Sequence, residues 1–198
     1  MGVISVAWAA LLGTALGLIS GFFGGKIDAV IMRVVDIMLG LPYMLLALAL
    51  VAVIGPSLLN VIIILALVSW AQYARMIRSE ALRIKEQDFI ALAIIAGCSR
   101  TKMLIDHFFP NVVNTLVVLG TLQLGVVILF EASLSFLGMG VPPPTPSWGL
   151  MTAEGRAYIS SAWWLVTFPG IAIMTIVLSM NLLGDWLRDF LDPKMRQI

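Results

Sequence analysis

Few residues of this chain could do chemistry, and none of them is grouped. There is one His (His107) and one Cys (Cys98). A single Cys closes no internal disulfide, and one His with one Cys falls short of a zinc ligand set. His107 has no nucleophile or second acid at a useful spacing, so it reads as a structural loop residue. No GxxxxGK[ST] segment occurs, so no phosphate-cradling loop is encoded. Glu131 stands beside the small residues Ala132 and Ser133 at the end of an apolar run. It either lines a passage or is an interfacial carboxylate. The expectation is therefore a chain with no catalytic residue, no metal site and no cofactor of its own.

The elements that must position these residues are set by composition. The chain has 198 residues, of which 61% are hydrophobic and 12% charged, with a net charge of +1. Soluble domains carry about 25% charged residues, so this chain lacks the polar skin of a water-soluble globule. It also has no basic tract that would hold nucleic acid. It reads as an all-α integral membrane protein.

A bilayer core about 30 Å thick asks for roughly 20 apolar residues per helix. Five spans are expected, at about 3–23, 37–54, 57–74, 111–130 and 163–183, in one transmembrane domain covering 1–198. Pro169-Gly170 is expected to kink the fifth. Counting Lys and Arg between spans puts Lys26, Arg33, Arg75, Arg78, Arg83, Lys85, Arg100, Lys102, Arg188, Lys194 and Arg196 on one side, and Arg156 alone on the other. The eleven mark the cytoplasmic side, C-terminus included. Residues 131–162 then face outward, and so does Met1. With no charge before Lys26 to direct its export, the expectation is that a further span precedes residue 1.

The long polar stretch 75–110 holds the mechanism. Glu86 to Ala96 can form a short helix with Phe89, Leu92, Ala93 and Ala96 on one face, ended by Gly97. A second piece over 101–108 leads to Pro110 in the first turn of the next span. Such a helix either lies on the membrane surface or docks in a groove of a cytoplasmic partner. On span A, Gly13, Gly17 and Gly21 form two overlapping GxxxG patterns. They serve close helix packing, within the subunit or against a partner subunit.

No span carries an ionisable residue inside it. Ion-coupled carriers usually hold such groups, although broken helices can bind sodium through carbonyls. The pattern favours energy supplied by another chain. A self-contained secondary carrier or channel stands as the alternative, and a membrane-embedded enzyme lacks its constellation.

Residues 91–110 resemble the EAA loop of ABC-importer permeases, whose pattern is Glu-Ala-Ala, three residues, Gly, nine residues, Ile, one residue, Leu-Pro. Here Ala91, Leu92 and Ala93 stand for the triplet, Gly97 keeps its spacing, and His107-Phe108-Phe109-Pro110 closes the motif. A His before that Pro and an Asn after it (Asn111) are similar to the dipeptide/oligopeptide/nickel branch. GFFGGKIDAVIMRVVDIMLGLP (21–42), EASLSFLGMGVPPPTPSWG (131–149) and NLLGDWLRDFLDPKMR (181–196) resemble the same branch. The resemblance implies a six-span type I ABC-importer permease fold, of which five spans are present. It implies alternating access driven by ATP, which two separate P-loop ATPase subunits consume. A second permease, an extracytoplasmic solute-binding protein and the lipid of a bacterial inner membrane complete the expected surroundings. The substrate would be a di- or oligopeptide, a nickel complex or glutathione. Gly97 would permit the close turn between loop helices, and Ala91 and Ala93 would allow tight docking. Arg83, Glu86 and Asp88 would make polar contacts around the docked helix.

Overall fold

The computed structural model describes residues 1–191; Lys194 and Arg196, counted above, lie outside the described residues. Nine α-helices follow one another among them: α1 (Gly2–Phe23), α2 (Gly25–Gly40), α3 (Tyr43–Ile54), α4 (Leu58–Lys85), α5 (Asp88–Ile95), α6 (Arg100–Met103), α7 (Phe109–Phe136), α8 (Trp148–Gly155) and α9 (Trp164–Leu191). Four are long and apolar enough to cross a bilayer: α1, α4, the rod from Arg100 to Phe136, and α9. At 1.5 Å per residue the 28-residue α4, α7 and α9 each run about 42 Å, beyond the hydrocarbon thickness.

The second expected span, 37–54, is corrected. It is not a continuous helix: α2 and α3 meet at 91°. The cause is local. Pro42 disfavours the helical region for the residue before it, and Leu41 is extended at φ −90°, ψ 138°. The third span reaches Lys85 rather than 74, so the first turns of the 75–110 stretch are a helical extension of α4. The fifth span runs on to Leu191 as one helix with Pro169 inside it.

The centre of the fold is the α1–α4 pair. On α1 the buried small residues Ser5, Ala9, Gly13, Gly17 and Gly21 recur every fourth position, one stripe down one face. A Cβ on Gly13 would lie 2.4 Å from the Tyr73 Cβ, on Gly17 2.6 Å from the Ala74 carbonyl oxygen, and on Gly21 2.6 Å from the Ala81 Cβ. The two backbones therefore touch where no side chain intervenes. The order of those contacts makes α1 and α4 parallel. On α7 and α9, Gly125 faces Val177 and Asn181 while Gly184 faces Leu122, so these two are antiparallel. Phe22 of α1 meets Phe108, just before α7, edge to face at 5.2 Å. One end of the bundle thus collects Lys26, Arg78, Arg83, Lys85, Arg100, Lys102 and Arg188, and the opposite end holds Arg156.

Candidate functional site

The basic end of the bundle is built around α5. α4 carries the chain down to Glu86, its C-terminal cap, and Gln87 turns it into α5, whose first residue is Asp88. An acid there suits the exposed N–H groups of a helix start. Gly97 closes α5 at φ +77°, with Cys98 N–H on the Ala93 carbonyl and Gly97 N–H on the Ile94 carbonyl, both at 3.0 Å. This is a Schellman closure. A left-handed residue is required there, and a side chain would be strained. No atom crowds the Gly97 position, so its glycine answers to backbone conformation.

The face of α5 differs from the expected one. Ile90 is the buried residue, 1% exposed, and Ala93 packs beside it, while Phe89, Leu92 and Ala96 of the expected stripe are exposed. Eight residues that are apolar nearly all round carry no period from which to choose a side. Ile90 joins Leu18 of α1, Ile77, Ala81 and Ile84 of α4, Met103 of α6, Phe108 and Val112. Burying such a side chain stabilises by about 1.5–3 kcal/mol, and Ile90 is the one buried residue of α5. Outward stand Ala91, Leu92, Ile94 and Ile95, the last 83% exposed.

The return of the loop is helical over 101–108 and places Pro110 in the first turn of its span, as expected: α6, a π-helical turn (Leu104–Phe108) and α7 form one rod. The wider turn, with Phe109 N–H on the Leu104 carbonyl, accommodates Pro110, which has no N–H to give. Asn111 Nδ2 donates to the His107 carbonyl at 2.6 Å, supplying a donor next to the one proline removes. The His107 ring lies 6.3 Å from that of Phe89, which ties the rod to α5. Arg83, exposed, pairs with Glu80 on its own helix, and Glu86 is exposed.

A clip that gave no sequence signal holds the α1–α2 turn to α4. Arg78 grips Asp28 through Nε at 2.5 Å and Nη2 at 2.6 Å, and Ser20 donates to the same carboxylate. The Arg78 guanidinium holds this carboxyl, which lies between the spans, below its ordinary pKa. Lys85 Nζ donates to the Phe22 carbonyl at the end of α1 at 3.0 Å.

At the opposite end Glu131 accepts a hydrogen bond from Ser135 at 2.8 Å. It borders a cavity of about 360 Å³ with Met1, Ile128, Ser147, Trp148 and Met151. Arg156 lies over the Phe136 ring at 5.5 Å. Gly13, Gly17 and Gly21 sit in the α1–α4 seam, Gly21 at its basic end.

Long apolar helices with a short, outward-facing helix at the charged end make up an all-helical membrane fold. A solved structure described as an amino acid ABC transporter with histidines superposes with a TM-score of 0.62 at 18% identity, covering 100% of this chain and 91% of that one. The chain belongs to the family of binding-protein-dependent transport system inner membrane components, whose model matches residues 13–197. It is 44% identical over 196 residues to the dipeptide transport system permease protein of Alkalihalophilus pseudofirmus, covering 99% of this chain and 64% of that protein. It is 43% identical to the di/tripeptide transport system permease protein of Pseudomonas aeruginosa, covering 99% and 65%. With the dipeptide permease of Escherichia coli it shares 46% over 168 residues, covering 85% and 56%. The chain thus spans somewhat under two thirds of the length of these relatives.

Proposed function

We propose that this chain is the membrane-crossing part of an importer subunit that passes di- or oligopeptides across a bacterial inner membrane. The related cargoes, nickel complexes and glutathione, belong to the same reading. α5 is its coupling helix. Two cytoplasmic P-loop ATPase subunits receive it, bind and hydrolyse the ATP, and drive alternation between inward- and outward-facing states. This chain binds no cofactor. A second, different permease completes the passage, and an extracytoplasmic binding protein delivers the peptide at the end that holds Glu131. The basic end, with the C-terminus, lies in the cytoplasm.

The observation that carries this reading is α5 itself: one side chain sunk into the bundle and a row of apolar ones turned away from it. A helix spending its apolar surface outward at a charged end suits a groove in a partner. The rigid route back to the spans, through Ile90 and the His107–Phe89 contact, supports force transmission. The test is Gly97→Leu in the complete transporter. Subunit levels in the membrane should stay normal while uptake of a radiolabelled dipeptide falls at least tenfold. Unchanged uptake sinks the coupling role, and uptake that survives removal of the ATPase subunits returns the protein to the secondary-carrier alternative.

A further inference from the structure

Two glutamines lie halfway along the helices that frame the loop. Gln72 is at the centre of α4 (Leu58–Lys85) and Gln123 at the centre of α7 (Phe109–Phe136). Both helices span the bilayer, so both amides sit near mid-depth. Gln123 is buried and donates through Nε2 to Oε1 of Gln72, which is exposed on the surface of the bundle. The pair leaves a free donor on Gln72 and a free acceptor on Gln123, neither with a partner among the described residues. An exposed polar side chain at mid-depth is costly against lipid and belongs on a water-filled or protein-covered face.

The neighbours indicate which. On the side away from the basic end, Tyr43 at the start of α3 is bonded to Ser69, with the two oxygens 2.7 Å apart, and its ring stacks on Phe130 at 4.1 Å. Ser69 lies three residues before Gln72, about 4.5 Å along the helix. α3 therefore covers α4 up to that aromatic pair, and beyond it α2 meets the neighbouring face of α4 through Asp36–Arg75 and Asp28–Arg78. From Gln72 toward the basic end the same face of α4 stays open through Met76 and Ser79. We infer that Gln72 and Gln123 line the translocation passage at mid-membrane and bind the backbone amide groups of the passing peptide, below a closure made by Tyr43 and Phe130. A neutral donor–acceptor pair complements the C=O and N–H groups every peptide shares, whatever its side chains. The inference rests on the peptide reading above.

The test uses the complete transporter in membrane vesicles, with Cys98→Ser to remove the native thiol. Gln72→Cys and Leu67→Cys, the latter on a different face of α4, are reacted with a charged methanethiosulfonate reagent. Position 72 should react at least tenfold faster than position 67, and millimolar dialanine should slow it severalfold. Equal rates at the two positions overturn the passage assignment, and labelling that dialanine leaves unchanged overturns the amide recognition. If Gln72→Cys does not accumulate in the membrane, Met76→Cys, one turn along the same open face, decides the same comparison. In parallel, Gln123→Leu should narrow the preference for dialanine over its ester analogue, which lacks the amide N–H; an unaltered preference counts against the pair. Absence of dialanine uptake by the unmodified transporter would sink the peptide reading alone, because the labelling rates still decide whether position 72 faces water.

Discussion

The α1–α4 seam and the α5 helix use apolar and small residues for opposite ends. In the seam, every fourth residue of α1 is small and hidden, and the facing backbone of α4 fills the space at contact distance. In α5 one residue is hidden and most of the helix faces away from its own bundle. The seam is satisfied inside the chain, whereas α5 is left unsatisfied by it. Internal packing and outward apolar surface are thus separated along the molecule: the seam fixes α4 against α1, and α4 leads into a helix whose apolar face its own bundle does not cover.

Substitutions break this contrast in a definite order. The largest effect is expected from Gly17→Leu. Its Cβ would lie 2.6 Å from the Ala74 carbonyl oxygen, and overpacking of this kind costs about 1–3 kcal/mol or more. The subunit's steady-state level, read by immunoblot of membranes, should fall severalfold. A normal level would mean that the seam is looser than its glycines indicate. Next is Ile95→Asp. Ile95 is 83% exposed, so folding should change by less than about 0.5 kcal/mol. Co-isolation of the ATPase subunits should nevertheless drop at least tenfold. Full retention would make the outward face of α5 idle and remove the contrast.

The smallest effect sharpens the link between the two regions. Asp28→Asn loosens the α1–α2 turn from Arg78. A hydrogen bond to a charged group is worth about 1.5–3 kcal/mol, and partial exposure of both partners puts the loss near the lower figure. Because Asp28 titrates below its ordinary 3.8 in the folded protein, its contribution is present above that pH and is lost as pH falls through the lowered value. Thermal stability of the purified transporter should therefore decline less steeply on the acid side in Asp28→Asn than in the unmodified protein.

How much of this was legible depended on the range of the interaction. Apolar runs locate helices because desolvating the backbone demands it. At the end away from the basic side, the expected limits 3, 57 and 163 fall one residue from the helix starts Gly2, Leu58 and Trp164, while 130 falls six short of Phe136. Gly97 announced the end of α5 through its own backbone freedom. The bend at Leu41-Pro42 carried a local signal too, but the apolar run across it masked the proline. The lead into Pro110 was readable, but the π turn just before it was not, since no residue type marks where a helix widens. Nor was the inward side of α5, where nearly every residue is apolar and only packing selects Ile90.

The sequence by itself determined that the chain lives in a membrane, where its long apolar runs lie, which end is basic and where the small-residue stripe lies. Each is a property of composition or of spacing within one turn of helix. Only the tertiary structure decided what the stripe faces, which residue anchors α5, and that Asp28 meets Arg78 and Gln72 meets Gln123. Those pairs stand 50 and 51 residues apart. In helices apolar on every side, no local pattern distinguishes the face that meets a neighbour from the face that meets lipid.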